Sequence, residues 1–188
     1  MPKKVQVTKK QILLAAVSLL REGGEEAVSA RAIALRLGMS TQPVFSNYLS
    51  MDDLRADVME IVNGLYLACQ AKMVAENQYP PYKAMGMAYI RFAIEEPRLF
   101  TALFLRQRDV SEQLAANDDW KRACARVAEQ TGLTDAQAAQ FQLETWACVH
   151  GLATMAVTGF LNLSEEQVSE ILTDVYQGLR SRFEGGKA

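Results

Sequence analysis

Side chains that can bond to the edges of DNA bases lie close together between Ser40 and Tyr48. Gln42 can form two hydrogen bonds with adenine, and the methyl group of Thr41 can touch that of thymine. The hydroxyl groups of Ser40 and Tyr48 are better suited to phosphate oxygens. Residues 40–48 contain no Arg or Lys, so the fork that reads guanine is absent. These residue types predict base reading, although small polar residues on an ordinary protein surface would look the same.

Groups that could catalyse a reaction are few and dispersed. His150 is the only histidine, and it lies in an apolar stretch with no evident partner for acid–base chemistry. Cys148 is two residues away, which on a helix turns it to a different side. The sequence shows no glycine-rich phosphate loop and no cluster with metal-ligand spacing. We therefore predict that the protein is not an enzyme and uses neither a cofactor nor a metal.

The composition suits a soluble globular protein, with 188 residues of which 49% are hydrophobic and 22% charged. No apolar run reaches the roughly 18 residues of a membrane span, and the sequence MPKKVQVTKK at the start lacks the apolar centre of a signal peptide. Cys69, Cys124 and Cys148 are far apart and odd in number, which predicts reduced, buried thiols. These features predict a cytoplasmic protein that does not enter a membrane.

Residues 29–48, which include this polar cluster at their end, have the pattern of two short helices around a tight turn. Ser29 can cap the first helix by accepting a backbone N–H that the helix leaves unpaired. The apolar stripe of this helix consists of Ile33, Ala34 and Leu37. Gly38 follows, where it can take the left-handed conformation that ends a helix. This is the pattern of a helix-turn-helix, whose second helix enters the major groove of DNA, although a plain pair of core helices has the same spacing.

The second helix is expected to begin at Ser40, which can cap it, with Val44 and Phe45 facing back onto the first helix. Pro43 would then be the third helical residue. Its missing backbone N–H is harmless there, because the donors of the first turn have no partner in the helix. The position of Pro43 therefore favours a short helix.

One helix is predicted before this pair, where it would support it, and another after it. Thr8 can cap the preceding helix, which repeats apolar residues at helical spacing and ends at Gly23-Gly24. Ser50 and Asp53 resemble a capping box that opens a long following helix, roughly residues 51–77. The predicted apolar side of the long helix consists of Leu54, Val58, Ile61, Val62, Leu65, Leu67 and Ala68.

Charge is distributed unevenly along the chain. Residues 1–48 carry a net charge of +4 and the remainder carries −6, within a total of −2. A basic end on an acidic body is typical of a protein that meets DNA at that end. Lys3 and Lys4 form an arm that could reach DNA phosphates, although a solvated tail is an equal alternative.

Residues 8–54 resemble the DNA-binding domain of the TetR family of bacterial transcriptional repressors. The matching residues are, in order, Ile12, Ala15, Ala16, Leu20, Gly24, Val28-Ser29, Ile33-Ala34, Leu37-Gly38, Ser40, Val44-Phe45, Asn47-Tyr48, Ser50 and Asp53-Leu54. Family members often carry a lysine just after the capping serine. This chain has Met51 there, so that phosphate contact is not implied. Taken with the residue chemistry, the resemblance implies double-stranded DNA as the partner, bound by Lys3, Lys4, Arg31, Ser40, Thr41, Gln42, Pro43, Ser46, Asn47 and Tyr48.

Further helices are predicted downstream, and nothing reads as a strand. A break at Tyr79-Pro80-Pro81-Tyr82 precedes them, and their approximate ranges are 82–95, 99–105, 112–131, 135–161 and 165–184. Residues 146–161 are too apolar for a helix with one exposed face, so we expect them to be buried on most sides.

The downstream part also resembles one subgroup of TetR-family C-terminal domains, through residues 89–104 and through Trp146, His150 and Gly151. In this family the last two long helices form a four-helix bundle with their copies in a second subunit. The apolar stripes suit that homodimer, and they would equally suit an internal core.

Aromatic, methionine and polar residues of this part could line a ligand pocket between helices. The candidates are Met85, Tyr89, Phe92, Phe100, Phe104, Trp120, Phe141, Glu144, Trp146 and His150. At helical spacing such residues usually fill a core. The family resemblance implies a pocket for a small, mainly apolar effector molecule.

We therefore predict an all-α protein of two domains. Residues 1–48 form an N-terminal three-helix helix-turn-helix DNA-binding domain, and residues 49–188 form a C-terminal helical domain for ligand binding and dimerisation. The predicted function is that of a ligand-responsive homodimeric repressor on a palindromic operator. The alternative is a helical protein–protein adaptor, which would not show the steep salt dependence of phosphate binding.

Overall fold

A computed structural model describes residues 7–107 and 110–185, and every regular element within them is helical, as predicted. The helices are α1 (Lys9–Gly23), α2 (Ala30–Arg36), α3 (Gln42–Asn47), α4 (Met51–Ala75), α5 (Pro81–Glu95), α6 (Pro97–Phe104), α7 (Val110–Thr131), α8 (Asp135–Val157) and α9 (Glu165–Gly185), with a 3₁₀ turn at Glu25–Ala27. Within these two ranges, no helix is both long and apolar enough to cross a membrane.

The chain divides into two compact units. The first unit consists of Met1–Ala71 and Glu95–Arg106, and the second consists of Lys72–Ile94 and Gln107–Ala188. Helix α6 belongs to the first unit because it packs on α1. Beside this contact, Arg21 Nε donates to Glu96 Oε2 at 2.7 Å. Helix α4 runs without a break from the first unit into the second.

In the first unit, helices begin at the residues that the sequence indicates. Thr8 and Gln11 form a reciprocal capping box at the start of α1, and the Ser29 hydroxyl accepts the Ala32 N–H at 3.2 Å. Ser50 Oγ accepts the Asp53 N–H at 3.1 Å, which caps α4. The core that these helices enclose includes the fully buried side chains Ile12, Leu20, Ile33, Val44, Leu54 and Val58.

The second unit has its own core, in which Phe141 is 0% exposed. Capping boxes at Thr134 and Ser164 begin α8 and α9. Gly132, with φ of 69°, allows the chain to turn after α7. Around Phe141 lie the buried residues Val127, Leu133, Ala138 and Leu179 and the half-buried Tyr82, Val175, Tyr176 and Phe183.

Two expectations about the second helix of the pair are wrong. Helix α3 begins at Gln42, with Thr41 at its N-cap, so Ser40 is not the cap. The preceding turn explains this, because Met39 N–H is still bonded to Ala34 O at 2.9 Å and Ser40 therefore belongs to the connection. Phe45 does not face α2, since its side chain is 54% exposed.

The expected burial of α4 and α8 is also partly wrong. On α4 the buried positions include Leu54, Val58, Val62 and Met73, whereas Leu65, Leu67 and Ala68 are exposed. Helix α8 ends at Val157, and within residues 146–161 Met155 is 38% exposed and Phe160, beyond the helix end, is 75% exposed. The three cysteines form no disulfide within the described residues, and they are half-buried where full burial was expected.

Candidate nucleic-acid interface

Helix α3 has a buried side and an exposed side. Val44 and Tyr48, four residues apart, are 0% and 5% exposed and face the core of the first unit. Phe45 and Ser46 lie three and four residues after Gln42, away from the buried pair, and all three side chains are exposed. The helix therefore presents a continuous side-chain surface to solvent while its other side anchors it.

The turn before α3 is fixed by backbone hydrogen bonds. Gly38 has φ of 64°, which is the left-handed conformation expected from the sequence. Gly38 N–H bonds to Leu35 O at 3.2 Å and Met39 N–H bonds to Ala34 O at 2.9 Å, which together form a Schellman motif at the end of α2. This motif sets the direction in which the chain leaves α2 for α3.

Tyr48 connects the end of α3 to two other helices. Its hydroxyl donates to Asp57 Oδ2 at 3.1 Å, and Lys9 Nζ forms an ion pair with the same oxygen at 2.6 Å. Lys9 Nζ also lies 4.8 Å from the centre of the Tyr48 ring. Burial raises the pKa of Tyr48, with the Asp57 carboxylate acting in the same direction. The Lys9 ammonium lowers the pKa of Asp57, so the carboxylate stays ionised.

Helix α2 is tied to α1 by a surface ion pair. Arg36 donates to Glu22 with both terminal nitrogens, at 2.7 and 2.5 Å, and to Ser18 Oγ at 2.6 Å. The hydrogen bonds from Arg36 hold the pKa of Glu22 at about 2. A bidentate contact of this kind fixes the relative orientation of the two helices better than a single one would.

The predicted DNA-binding residues do not all have equal access to a ligand. Arg31, Ser40, Thr41, Gln42, Ser46 and Asn47 are exposed and Pro43 is half-buried, whereas Lys3 and Lys4 lie outside the described residues. Ser46 Oγ donates to Gln42 O at 2.9 Å, and Asn47 Nδ2 donates to Pro43 O at 2.8 Å. Tyr48 is buried with its hydroxyl on Asp57, so its role here is to support α3.

Sequence reasoning missed Phe45 on the exposed side of α3. The signal was present: if Val44 and Tyr48 are both buried, four residues apart, then Phe45 must point about a quarter-turn away from them. Its apolar character made a core position the natural expectation. The exposed surface of α3 is thus polar at Gln42 and Ser46 and aromatic at Phe45.

Part of the predicted ligand site comes together in the second unit. The Tyr89 hydroxyl and His150 Nδ1 are joined by a hydrogen bond of 2.9 Å. The Trp146 ring stacks on the His150 ring at 5.7 Å and meets the Tyr89 ring edge-on at 4.8 Å. Tyr89 is 1% exposed, and Trp146 and His150 are half-buried. This cluster combines aromatic surface with the hydrogen bond between Tyr89 and His150.

The other predicted ligand residues are placed differently. Phe141 is a core residue, and Glu144 accepts a hydrogen bond from Arg182 at 2.8 Å on the surface. Phe100 and Phe104 belong to the first unit, where their ring centres are 5.0 Å apart. In the second unit, Phe92 is buried, Met85 is 37% exposed and Trp120 is half-buried.

Comparison with known proteins agrees with this arrangement. Residues 82–178 match the family model described as "Tetracyclin repressor-like, C-terminal domain". The chain is 22% identical to an uncharacterized HTH-type transcriptional regulator of Mycobacterium tuberculosis over 95% of this chain and 83% of the relative.

Two solved structures from Rhodococcus sp. RHA1 share the fold over nearly all of both chains. One is a TetR-like transcriptional regulator, with a TM-score of 0.67 at 16% identity and 100% of each chain covered. The other is a protein with unknown function, with a TM-score of 0.71 at 21% identity and 97% of each chain covered.

Proposed function

The chain belongs to the TetR family of transcriptional regulators, and from this premise we propose that it is a ligand-responsive homodimeric repressor of a palindromic operator. The observation that carries the proposal is the exposed side of α3, which offers hydrogen-bonding groups to a DNA groove. Val44 and Tyr48 anchor the helix to the core of the first unit.

In the proposed complex, α3 lies in the major groove. Gln42 reads adenine, and Thr41, Ser46 and Asn47 contact neighbouring base edges or phosphates. Arg31 on the first turn of α2 neutralises a phosphate, as do Lys3 and Lys4 ahead of α1. Pro43 keeps α3 short. Ser40 lies in the connection between α2 and α3, where its hydroxyl can bond to a phosphate. Tyr48 acts through the position of α3.

The proposed dimer uses the exposed side of α8. Leu143, Ala147, Gly151 and Met155 recur every four residues and form one ridge along the helix. Leu143 is 50% exposed and Met155 38% exposed, and a Cβ at Gly151 would meet nothing within 4 Å. An apolar ridge with small residues in its middle permits close approach of the same helix from a second copy. Two-fold symmetry then sets two α3 helices about 34–36 Å apart, one helical turn of DNA.

The proposed effector is a small, mainly apolar molecule bound in the second unit. The Tyr89, Trp146 and His150 cluster supports this, because it offers aromatic surface with a polar pair that can orient a ligand. Met85 and Phe92, on the same helix as Tyr89, extend the proposed lining, as does Trp120. Phe141 and Glu144 are not part of the proposed lining, because Phe141 belongs to the core of the second unit and Glu144 forms a surface ion pair with Arg182.

The proposed coupling runs through α4, which is one continuous helix from Met51 to Ala75. An effector that favours a shifted α4 would change the separation of the two heads and weaken operator binding. Linkage requires the effect to be reciprocal, so operator DNA must weaken effector binding by the same factor. An effector that changed head separation but left operator affinity unchanged would contradict this coupling.

The proposed function is tested by selection from a pool of random DNA duplexes at two salt concentrations, followed by sequencing. We expect a palindromic sequence to be enriched and bound by two chains, with affinity that falls steeply as salt rises. Weak, sequence-independent binding would contradict the operator. The absence of binding at either salt concentration would favour the helical adaptor, whose partner is another protein.

A further inference from the structure

We propose that Phe45 is a specificity-determining residue that reads a thymine in each operator half-site by contact with the 5-methyl group of the base. The inference rests on the proposed operator binding and extends it to a particular base and a particular atom.

The position of the ring carries the inference. Phe45 is 54% exposed and lies about a quarter-turn around α3 from the buried Val44 and Tyr48, so much of its ring is open to solvent beside the anchored side of the helix. Gln42 lies three residues before it and Ser46 directly after it, both exposed on the same side. Any duplex that engages Gln42 therefore meets the Phe45 ring as well.

The major groove offers few apolar partners to such a ring. Among the base edges exposed there, the distinctive apolar group is the thymine 5-methyl, and phenylalanine is one of the residues that contact it. A phosphate oxygen gains nothing from a phenyl group, which can donate no conventional hydrogen bond. Of the groups within reach of α3, the methyl is thus the one that Phe45 is chemically able to distinguish.

The residues next to Phe45 also favour A·T base pairs. Gln42 can bond adenine through two hydrogen bonds, and the methyl group of Thr41 is also suited to contact with the thymine methyl. Residues 40–48 contain no Arg or Lys to select guanine. We therefore expect a half-site rich in A·T pairs, in which one thymine loses its effect when Phe45 is removed.

The test removes the methyl group and the ring separately. Wild-type protein first selects its operator from a random duplex pool, and the winning duplex is then synthesised with deoxyuridine in place of each thymine in turn. Binding of every duplex is measured for wild type, Phe45→Ala and Phe45→Leu. Leu14→Ala is the matched control, because Leu14 is 55% exposed but lies on α1.

We expect one thymine per half-site whose replacement weakens wild-type binding by about fourfold, the value of one buried methyl group. Phe45→Ala should bind both duplexes within about twofold of each other, whereas Phe45→Leu and Leu14→Ala should retain the wild-type difference. Circular dichroism checks that each variant is folded.

Two results would overturn the inference while leaving the operator intact: a selected duplex in which no thymine-to-deoxyuridine change matters, or a methyl effect that is unchanged in Phe45→Ala. If wild type selects no sequence at all, the proposed function fails before the inference is reached, so the two failures are distinguishable.

Discussion

Gly38 shows how the conformation of one residue directs the recognition helix. Its φ of 64° is left-handed, and a Cβ added there would meet nothing within 4 Å. Alanine at position 38 would therefore be disfavoured by backbone strain and not by a steric clash. We expect Gly38→Ala to lower the free energy of unfolding by about 1–2 kcal/mol, measured by urea denaturation, and to weaken operator binding by displacing α3.

Gly64 on α4 supplies the matched control, since a Cβ there also meets nothing within 4 Å but the backbone is helical. Gly64→Ala should raise the free energy of unfolding by up to about 1 kcal/mol, because alanine favours a helix over glycine. Equal destabilisation by the two variants would contradict the explanation from the left-handed conformation.

The ion pair between Glu22 and Arg36 predicts a dependence of stability on pH. Glu22 has a pKa of about 2 in the folded protein against 4.5 ordinarily, because Arg36 donates hydrogen bonds to its carboxylate. A depressed pKa gives a stabilisation that is complete above the unfolded value and is lost as pH falls through the folded value. Wild type should therefore exceed Glu22→Gln in unfolding free energy at pH 7, and the difference should vanish between about pH 5 and pH 2.

The measurement is urea denaturation at several pH values in low salt. Salt should reduce the difference, because both partners are near the surface. Glu25→Gln, on the 3₁₀ turn, makes the same change of charge outside this ion pair. A difference between wild type and Glu22→Gln that stayed constant from pH 7 to pH 2 would show that the carboxylate does not act through its charge.

Residue patterns were sufficient where the signal was local. Caps at Thr8, Ser29 and Ser50 need only the next few residues, so the sequence located these helix starts. Tyr48 could not be judged in this way, because its partners Lys9 and Asp57 lie on other helices and only the folded chain brings them together. The hydroxyl that suited a phosphate is used inside the protein.

At the scale of the element, α8 has two different sides that composition alone does not separate. Phe141 is 0% exposed and Leu143, two residues later, is 50% exposed. We expect Phe141→Ala to cost about 3–5 kcal/mol of unfolding free energy through the cavity it leaves. Leu143→Ala should change the stability of the chain by much less. Calorimetry or urea denaturation of both variants measures this.

The same pair distinguishes a core residue from a pocket residue at position 141. A ligand-lining side chain would lose effector affinity on truncation while the fold kept its stability. If Phe141→Ala were as stable as wild type, its assignment to the core would be wrong. The surrounding rings of Tyr82, Tyr176 and Phe183, with centres 5.3 to 6.4 Å from that of Phe141, argue for the core.

The expected burial of residues 146–161 on most sides also shows what a single sequence cannot separate. Residues 146–161 are apolar both where they face their own chain and where they face solvent, so hydrophobicity does not reveal which side needs a second chain. Similarly, the predicted apolar side of α4 included Leu65 and Leu67, which are 38% and 51% exposed.

For the whole molecule, the proposed dimer predicts that charges placed on the exposed side of α8 will prevent dimerisation. Leu143→Arg combined with Met155→Arg places two charges on the ridge of α8, where they would be buried against another copy. We expect a monomer by analytical ultracentrifugation and a loss of affinity for a two-half-site duplex of about a hundredfold or more, since the heads no longer bind together. The fold of each chain should be preserved.

Leu14→Arg is the control for this experiment, because it adds a charge to an equally exposed apolar residue on α1. It should leave the sedimentation coefficient unchanged. A double variant on α8 that remained dimeric would mean that another surface joins the subunits.

The central claim, that the exposed side of α3 reads sequence, is tested most directly by a ratio of affinities. Fluorescence anisotropy would give the affinity of wild type and of Gln42→Ala for the selected duplex and for a scrambled duplex of the same composition. We expect a wild-type preference of about 10³-fold or more at physiological salt. Gln42→Ala should lose a large part of this preference while scrambled DNA is bound as before. A wild-type ratio near one, or a ratio that Gln42→Ala leaves unchanged, would contradict the assignment of α3 as the reading element.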